Sequence, residues 1–231
     1  MPLAAVTLDA AGTLFAPREP VGATYARAAA RHAIVLDPAA AGERFRAALR
    51  AAPALAFPGV APDRRGAAER DWWRAIVGAS FGPEAAGPGF EACFAELFDH
   101  FARPDAWRLD DGAVHTLHEL RTAGLRLAVV SNFDERLFPL LVGLGIAPLV
   151  DAIVPSSAHG AAKPDSRLFH AAARLLGVRP ADALHVGDDI DLDVRGALAA
   201  GFRAILLAPT GGPAPEGITV LRRLRDLRRA L

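Results

Sequence analysis

The sequence predicts an α/β fold, a doubly wound, Rossmann-like parallel sheet with an all-helical domain inserted into it. Three observations carry this reading. Short apolar runs alternate with helical periodicity from residue 113 onward, which specifies βαβ units. The first apolar run, residues 3–8, is separated from the second by residues 9–124, far more than one crossover needs. Most of that separation is helical in pattern, so it leaves the sheet and returns to it as a domain of its own. Residues 1–16 plus 109–231 are therefore expected to form the α/β core, and residues 17–108 the helical domain.

The first run ends abruptly at Asp9, and Ala10-Ala11-Gly12-Thr13 follows as a tight turn. Within the insertion, Asp37-Pro38 reads as an N-cap followed by a first-turn proline. Phe90, Phe94, Leu97, Phe98 and Phe101 recur at helical spacing. The Asp37-Pro38 start and the Pro/Gly-rich breaks over residues 53–62 and 82–89 separate four helices, one of which carries Trp72-Trp73.

After Asp110-Asp111-Gly112 the expected order is regular. A helix runs to Thr122 and stops at Gly124; a strand over 125–130 ends in Ser131-Asn132; a helix starts at Asp134; a short strand lies near 152–155. A loop then holds Lys163-Pro164-Asp165 and leads into a helix over 166–176, stopped by Gly177. A strand over 183–186 ends at Gly187-Asp188, a helix spans about 192–200, and a last strand covers 203–207. The tail over 221–229 reads as an amphipathic helix whose Leu221, Leu224 and Leu227 pack on the sheet, in preference to a nucleic-acid arm.

Composition narrows the function. Of 231 residues, 52% are hydrophobic and 23% charged, which excludes a disordered chain. Lys+Arg and Asp+Glu both total 26, so no global field favours nucleic acid or an anionic membrane. The single Cys93, set among phenylalanines and leucine, cannot form an internal disulfide and fits a reducing compartment. No basic segment and apolar run follow Met1, and charges interrupt every stretch of membrane-spanning length, so a cytoplasmic protein is expected. Oligomeric state is not encoded legibly.

Chemistry gathers at the strand ends. Asp9, Ser131 and Asp188 lie at carboxyl ends of expected parallel strands and Lys163 in the loop after another, where open α/β sheets bind ligands. Each alone has an ordinary reading as turn former or helix cap; four in order on successive strand ends point to one site. Lys163 is also the only lysine among 26 basic residues, as though a compact ammonium is required there and a guanidinium fails.

These segments, Asp9-Ala10-Ala11-Gly12-Thr13-Leu14, Ser131-Asn132, Lys163-Pro164-Asp165 and Gly187-Asp188-Asp189 through Asp193, resemble the four ordered motifs of the haloacid dehalogenase superfamily. The helical insertion is similar to that superfamily's small helical cap. The resemblance implies that Asp9 is a nucleophile that attacks phosphorus, forming an aspartyl-phosphate that water hydrolyses. It implies a Mg²⁺ held by Asp9, the Ala11 carbonyl and Asp188, with Asp189 or Asp193 orienting metal waters or the lysine. Lys163 and Ser131 would stabilise the phosphoryl oxygens, with Thr13 and Asn132 contributing to substrate binding and Thr13 steadying the turn. The substrate would be a small phosphorylated molecule. Physics supports a cation independently, because a carboxylate 4 Å from a phosphate charge is repelled by ~4 kcal/mol at an effective dielectric of 20. The crowd of Asp188, Asp189, Asp191 and Asp193 would also repel itself; Asp191 reads as an N-cap. His159, in the loop before Lys163, is a minor candidate for proton transfer.

One departure matters. Phosphatases of this superfamily usually carry a second aspartate two positions after the nucleophile, as general acid and base; here that position is Ala11. Losing such catalysis costs ~10²–10⁴ in rate. Three readings stay open: a weak or specialised Mg²⁺ phosphatase, a 2-haloacid dehalogenase whose halide leaves without protonation, and a silent module that binds a phosphorylated ligand. Against the dehalogenase stand the crowded aspartates and Phe169, where those enzymes resemble one another in having a tyrosine. Specificity is expected to come from the insertion, where Arg18, Arg27, Arg31, Trp72 and Trp73 are candidates.

Overall fold

A computed structural model of the chain describes residues 3–212 and 215–231; the first two residues of the expected core lie outside the described residues. The chain divides into two compact units, one of Met1–Ala16, Leu55–Gly59 and Leu109–Leu231, the other of Pro17–Ala54 and Val60–Arg108. Leu55–Gly59, expected in the helical domain, thus groups with the sheet. The Ser156 hydroxyl donates to the Leu55 carbonyl at 2.5 Å, and Gly160 leaves room for Pro58, whose Cα would lie 3.3 Å from a Cβ there.

The strands are β1 (Ala5–Leu8), β2 (Phe15–Pro17), β3 (Trp107–Leu109), β4 (Arg126–Ser131), β5 (Ala152–Pro155), β6 (Ala183–Gly187), β7 (Arg203–Leu207) and β8 (Thr219–Leu221). Six of them form one parallel sheet in the order β5-β4-β1-β6-β7-β8, and β2 pairs with β3 separately. The central strands β1 and β6 are buried throughout, which is why they read as apolar runs, interrupted only by Thr7 and His185. The order reverses at β1, whose neighbours β4 and β6 receive crossovers running in opposite directions. The carboxyl ends of those three strands therefore frame a switch-point crevice.

The helices are α1 (Val21–Arg31), α2 (Pro38–Ala51), α3 (Pro62–Phe81), α4 (Phe90–His100), α5 (Ala113–Thr122), α6 (Leu137–Gly143), α7 (Ser156–His159), α8 (Ser166–Leu176), α9 (Gly196–Ala199) and α10 (Leu227–Ala230). Flanking helices bury the sheet; Phe169 of α8, for example, packs with Ala128, Val130 and Val154. No described helix is long and apolar enough to cross a membrane.

Several elements depart from expectation. The helix expected at Asp134 begins three residues later, because Asp134 is fully buried and its carboxylate takes hydrogen bonds from the Arg136 guanidinium and main-chain N–H. The helix expected over 192–200 is a π-helical turn over Ile190–Arg195 followed by α9. Strand β8, too short and too exposed to show periodicity, extends the sheet beyond β7. The tail is a 3₁₀ turn, Leu224–Asp226, followed by the single turn α10; three-residue spacing suits the 3₁₀ period, and Leu221, Leu224 and Leu227 are all buried.

The second unit contains α1 to α4 around its own hydrophobic core, which includes Tyr25, Phe81, Phe90, Phe94 and Leu97. Asp37 caps α2 by accepting from the Ala40 N–H at 2.7 Å. Cys93 is buried in this core, and its thiol is pushed up to about 11 by burial. The arginines considered for specificity are engaged within the unit. Arg18 donates to the carbonyls of Asp105 and Trp107, Arg27 pairs with Glu19, and Arg31 pairs with Glu96. Trp72 donates its indole N–H to the Pro53 carbonyl and stacks edge-on with Trp73.

Candidate active site

Asp9 follows β1 directly, and its N–H donates to the Val186 carbonyl of β6 at 2.9 Å. Ser131 closes β4, where Leu8 stands opposite Val129, so its buried hydroxyl belongs to the neighbouring strand end. After Asp9 the chain turns sharply, with the Ala10 carbonyl accepting from the N–H groups of Thr13, Leu14 and Phe15. Gly12 takes φ +104°, a conformation L side chains rarely adopt.

Lys163 lies at the centre. Its ammonium is buried and donates to Asp9 Oδ1 at 2.5 Å and to Asp193 Oδ1 at 2.6 Å. Its main chain is held from the other side by Asn132, whose Oδ1 accepts from the Lys163 N–H at 2.7 Å while Nδ2 donates to the Lys163 carbonyl at 2.9 Å. Asn132, expected among the substrate ligands, therefore directs its amide to the lysine's backbone.

Asp9, Asp188 and Asp193 converge, each offering a carboxylate oxygen within 4.8 Å of the others. Asp193 rests on the Cα of Gly187, where a Cβ would lie 2.1 Å from its Cγ. Its Oδ2 accepts from the Asp189 N–H at 3.0 Å, and its Oδ1 takes His185 Nε2 at 3.1 Å besides Lys163. Asp189 does not join the three. It is the N-cap of the following turn, accepting from the N–H groups of Asp191 and Leu192 at 2.8 and 2.9 Å. The cap expected of Asp191 thus belongs to Asp189, two residues nearer the strand, and Asp191 instead pairs with Arg195 one turn on. Thr13 is buried, and its hydroxyl has no hydrogen-bond partner among the described residues.

The charges in this cluster separate by environment. Burial alone would lower Lys163, but the charges of Asp9 and Asp193 reverse that and leave it at about 12. Burial alone would raise Asp193, yet Lys163 and the hydrogen bond from His185 outweigh it and hold that carboxyl well below the usual range. Asp9 moves the other way, raised by burial and by the charge of Asp193 against the pull of Lys163. Asp188, the exposed member, is pushed up to about 7, by desolvation first and then by Asp9 and Asp193. One ammonium for three carboxylates leaves the cluster short of positive charge. An all-oxygen donor set of this kind suits a hard divalent cation such as Mg²⁺.

Two residues in this network were missed by sequence reasoning, His185 and Thr7. His185 Nδ1 lies 2.8 Å from the Thr7 hydroxyl, and both residues are fully buried. A histidine and a threonine inside central strands of a buried parallel sheet each require a polar partner there, but residue type does not say which one.

Comparison with known proteins gives a consistent picture. The sequence profile described as "Hydrolase: haloacid dehalogenase-like hydrolase" matches residues 3–201. The chain is 38% identical over 208 residues to the human haloacid dehalogenase-like hydrolase domain-containing protein 3, covering 87% of this chain and 80% of that protein. It is 37% identical over 138 residues to phosphoserine phosphatase of Thermus thermophilus, covering 59% of this chain and 53% of that one. In structure it resembles the L-2-haloacid dehalogenase of Xanthobacter autotrophicus with chloropropionic acid covalently bound. That match has a TM-score of 0.73 at 22% identity and covers 98% of this chain and 97% of that one.

Proposed function

The chain belongs to the haloacid dehalogenase-like hydrolases, and from that premise we propose that it is a Mg²⁺-dependent phosphatase of a small phosphorylated metabolite, working through an aspartyl-phosphate on Asp9. The observation that carries this is the buried Lys163 ammonium bridging Asp9 and Asp193, with Asp188 completing a three-carboxylate cluster.

Asp9, Asp188 and the Ala11 carbonyl would hold the cation; Asp193, which already accepts from Lys163, His185 and the Asp189 N–H, serves the lysine first. Bound there, Mg²⁺ supplies positive charge that offsets the repulsion between a carboxylate nucleophile and a phosphoryl group. Lys163 holds one oxygen of Asp9 and orients the carboxylate, and its third N–H is available to an oxygen of the substrate. Asp9 attacks phosphorus, the P–O bond to the alcohol breaks, and the phosphoryl group stays on Asp9. Water then attacks phosphorus, releasing phosphate and restoring the carboxylate. Ser131 donates a hydrogen bond to a phosphoryl oxygen, and Thr13, whose buried hydroxyl has no partner among the described residues, donates to the same group.

At position 11 a methyl group replaces the acid that would protonate the leaving alcohol. The reading is therefore of an enzyme for substrates with a good leaving group, or one that carries its own proton donor. Substrate choice falls to the helical unit, and a cytoplasmic setting completes the reading.

Purified protein offered p-nitrophenyl phosphate and acetyl phosphate should release phosphate with Mg²⁺ and stop in EDTA. Offered 2-chloropropionate, it should release no chloride. Metal-indifferent chloride release would establish the dehalogenase instead. Thermal stabilisation by phosphorylated ligands without turnover would establish a binding module.

A further inference from the structure

Thr7 of β1 and His185 of β6 stand opposite each other in the parallel register, with no solvent exposure at either. Neither touches the place where a substrate would react. Together they form a polar line through the sheet, from the Thr7 hydroxyl to His185 Nδ1 at 2.8 Å, from Nε2 to Asp193 Oδ1 at 3.1 Å, and from that oxygen to Lys163 at 2.6 Å. The ring of Phe169 packs edge-to-face on the imidazole, 5.1 Å between centroids.

The partners fix where the protons are. A carboxylate only accepts, so Nε2 carries a hydrogen and donates it to Asp193. Burial pushes the imidazole toward its neutral form against the pull of Asp193, and a neutral ring with its hydrogen on Nε2 offers Nδ1 as an acceptor. The Thr7 hydroxyl is closer to Nδ1 than to the Leu184 carbonyl, 2.8 against 3.4 Å, and donates to the ring. Each polar atom on the line then has a partner.

We propose that His185, backed by Thr7, is a positioning residue whose Nε2–H pins the Asp193 carboxylate in the orientation that aims the Lys163 ammonium at Asp9. The proposal rests on the reading of Asp9 and Lys163 as the catalytic pair. A lysine's flexible four-carbon stem takes its direction from its partners. Asp193 can direct it only while its own rotation is fixed. The Asp189 N–H fixes one oxygen. Without His185 the other oxygen would have Lys163 as its partner and would turn with it.

The chain contains one lysine, so protein grown with lysine labelled at its ε-carbon and ε-nitrogen gives a single side-chain signal, that of Lys163. This signal and steady-state kinetics on p-nitrophenyl phosphate would be compared in Mg²⁺-loaded wild type, His185→Leu, His185→Gln and Thr7→Val. Leucine removes the donor, and the signal should shift or broaden while kcat falls about 10–100-fold with KM nearly unchanged. Glutamine, whose side-chain N–H can occupy the place of Nε2, should restore both readouts. Thr7→Val should move both the same way as leucine, by less. A Lys163 signal in His185→Leu that superimposes on the wild type overturns the proposal. Should the leucine variant fail to fold, ring-nitrogen chemical shifts of wild-type His185 decide, since a bare Nε2 overturns it equally. A wild type that turns over no phosphate ester would count against the phosphatase reading, while the lysine signal would still judge His185.

Discussion

The carboxylate of Asp188 rests on the α-carbon of Gly12: a Cβ built at Gly12 would lie 2.4 Å from Asp188 Oδ2 and 2.6 Å from Oδ1. The turn after the nucleophile and the end of β6 are thus fitted to each other, and the glycine is what allows it. Gly12→Ala meets two penalties, a side chain at φ +104° and the displacement of Asp188. The variant should lose ~1–3 kcal/mol of stability from backbone strain. Its Mg²⁺ affinity by titration calorimetry should fall at least tenfold, and unchanged affinity would show that Asp188 does not hold the cation.

Asn132 makes a different prediction from the one its place beside Ser131 suggested. Its amide clamps the Lys163 main chain, so Asn132→Ala should displace the ammonium and lower kcat by up to ~10²-fold with little change in KM. A rise in KM alone, with kcat intact, would make Asn132 a substrate ligand instead.

Mg²⁺ binding should be tied to the ionisation of Asp188. Its carboxyl is raised from 3.8 to about 7, so the stability it contributes without metal is present below its unfolded value and lost as pH rises through 7. The cation needs the ionised form and competes with the proton. The rise in Tm on adding Mg²⁺ should therefore be larger at pH 8 than at pH 6, and binding near pH 7 should release a proton, measurable by calorimetry in buffers of different ionisation enthalpy. Equal Tm shifts at both pH values would contradict this.

Ala11→Asp puts a carboxyl at the position of the missing acid. Turnover of unactivated alkyl phosphates should rise, by up to ~10²–10⁴-fold if the group acts in both steps, with less gain on p-nitrophenyl phosphate. If turnover is unchanged while Mg²⁺ still binds, the account of the defect at position 11 is wrong.

What the sequence made legible follows from what is periodic or local. The parallel core strands announce themselves as apolar runs, and Asp9, Ser131, Lys163 and Asp188 could be expected to meet because strand ends converge wherever a parallel sheet is wound, whereas Asp193 was reached only through the resemblance to the superfamily's fourth motif. Division of labour among the aspartates was not legible. Whether Asp189 or Asp191 caps the turn depends on where the helix begins, and a π-helical start moved that point. The clamp from Asn132 and the line through His185 and Thr7 depend on distances between segments up to 178 residues apart in sequence, and no local pattern encodes them. Strand β8 was hidden for another reason, since a segment of three residues is too short to carry a period, whereas the tail showed its leucine spacing and differed only in helix type.

The central claim concerns one covalent bond, and the most direct measurement is of that bond. Protein turning over acetyl phosphate with Mg²⁺ would be quenched in acid and its peptides weighed. A phosphoryl group should be found on Asp9, absent in EDTA and absent, together with turnover, in Asp9→Asn. Sustained phosphate release with Asp9 unmodified, persisting in Asp9→Asn, would contradict it.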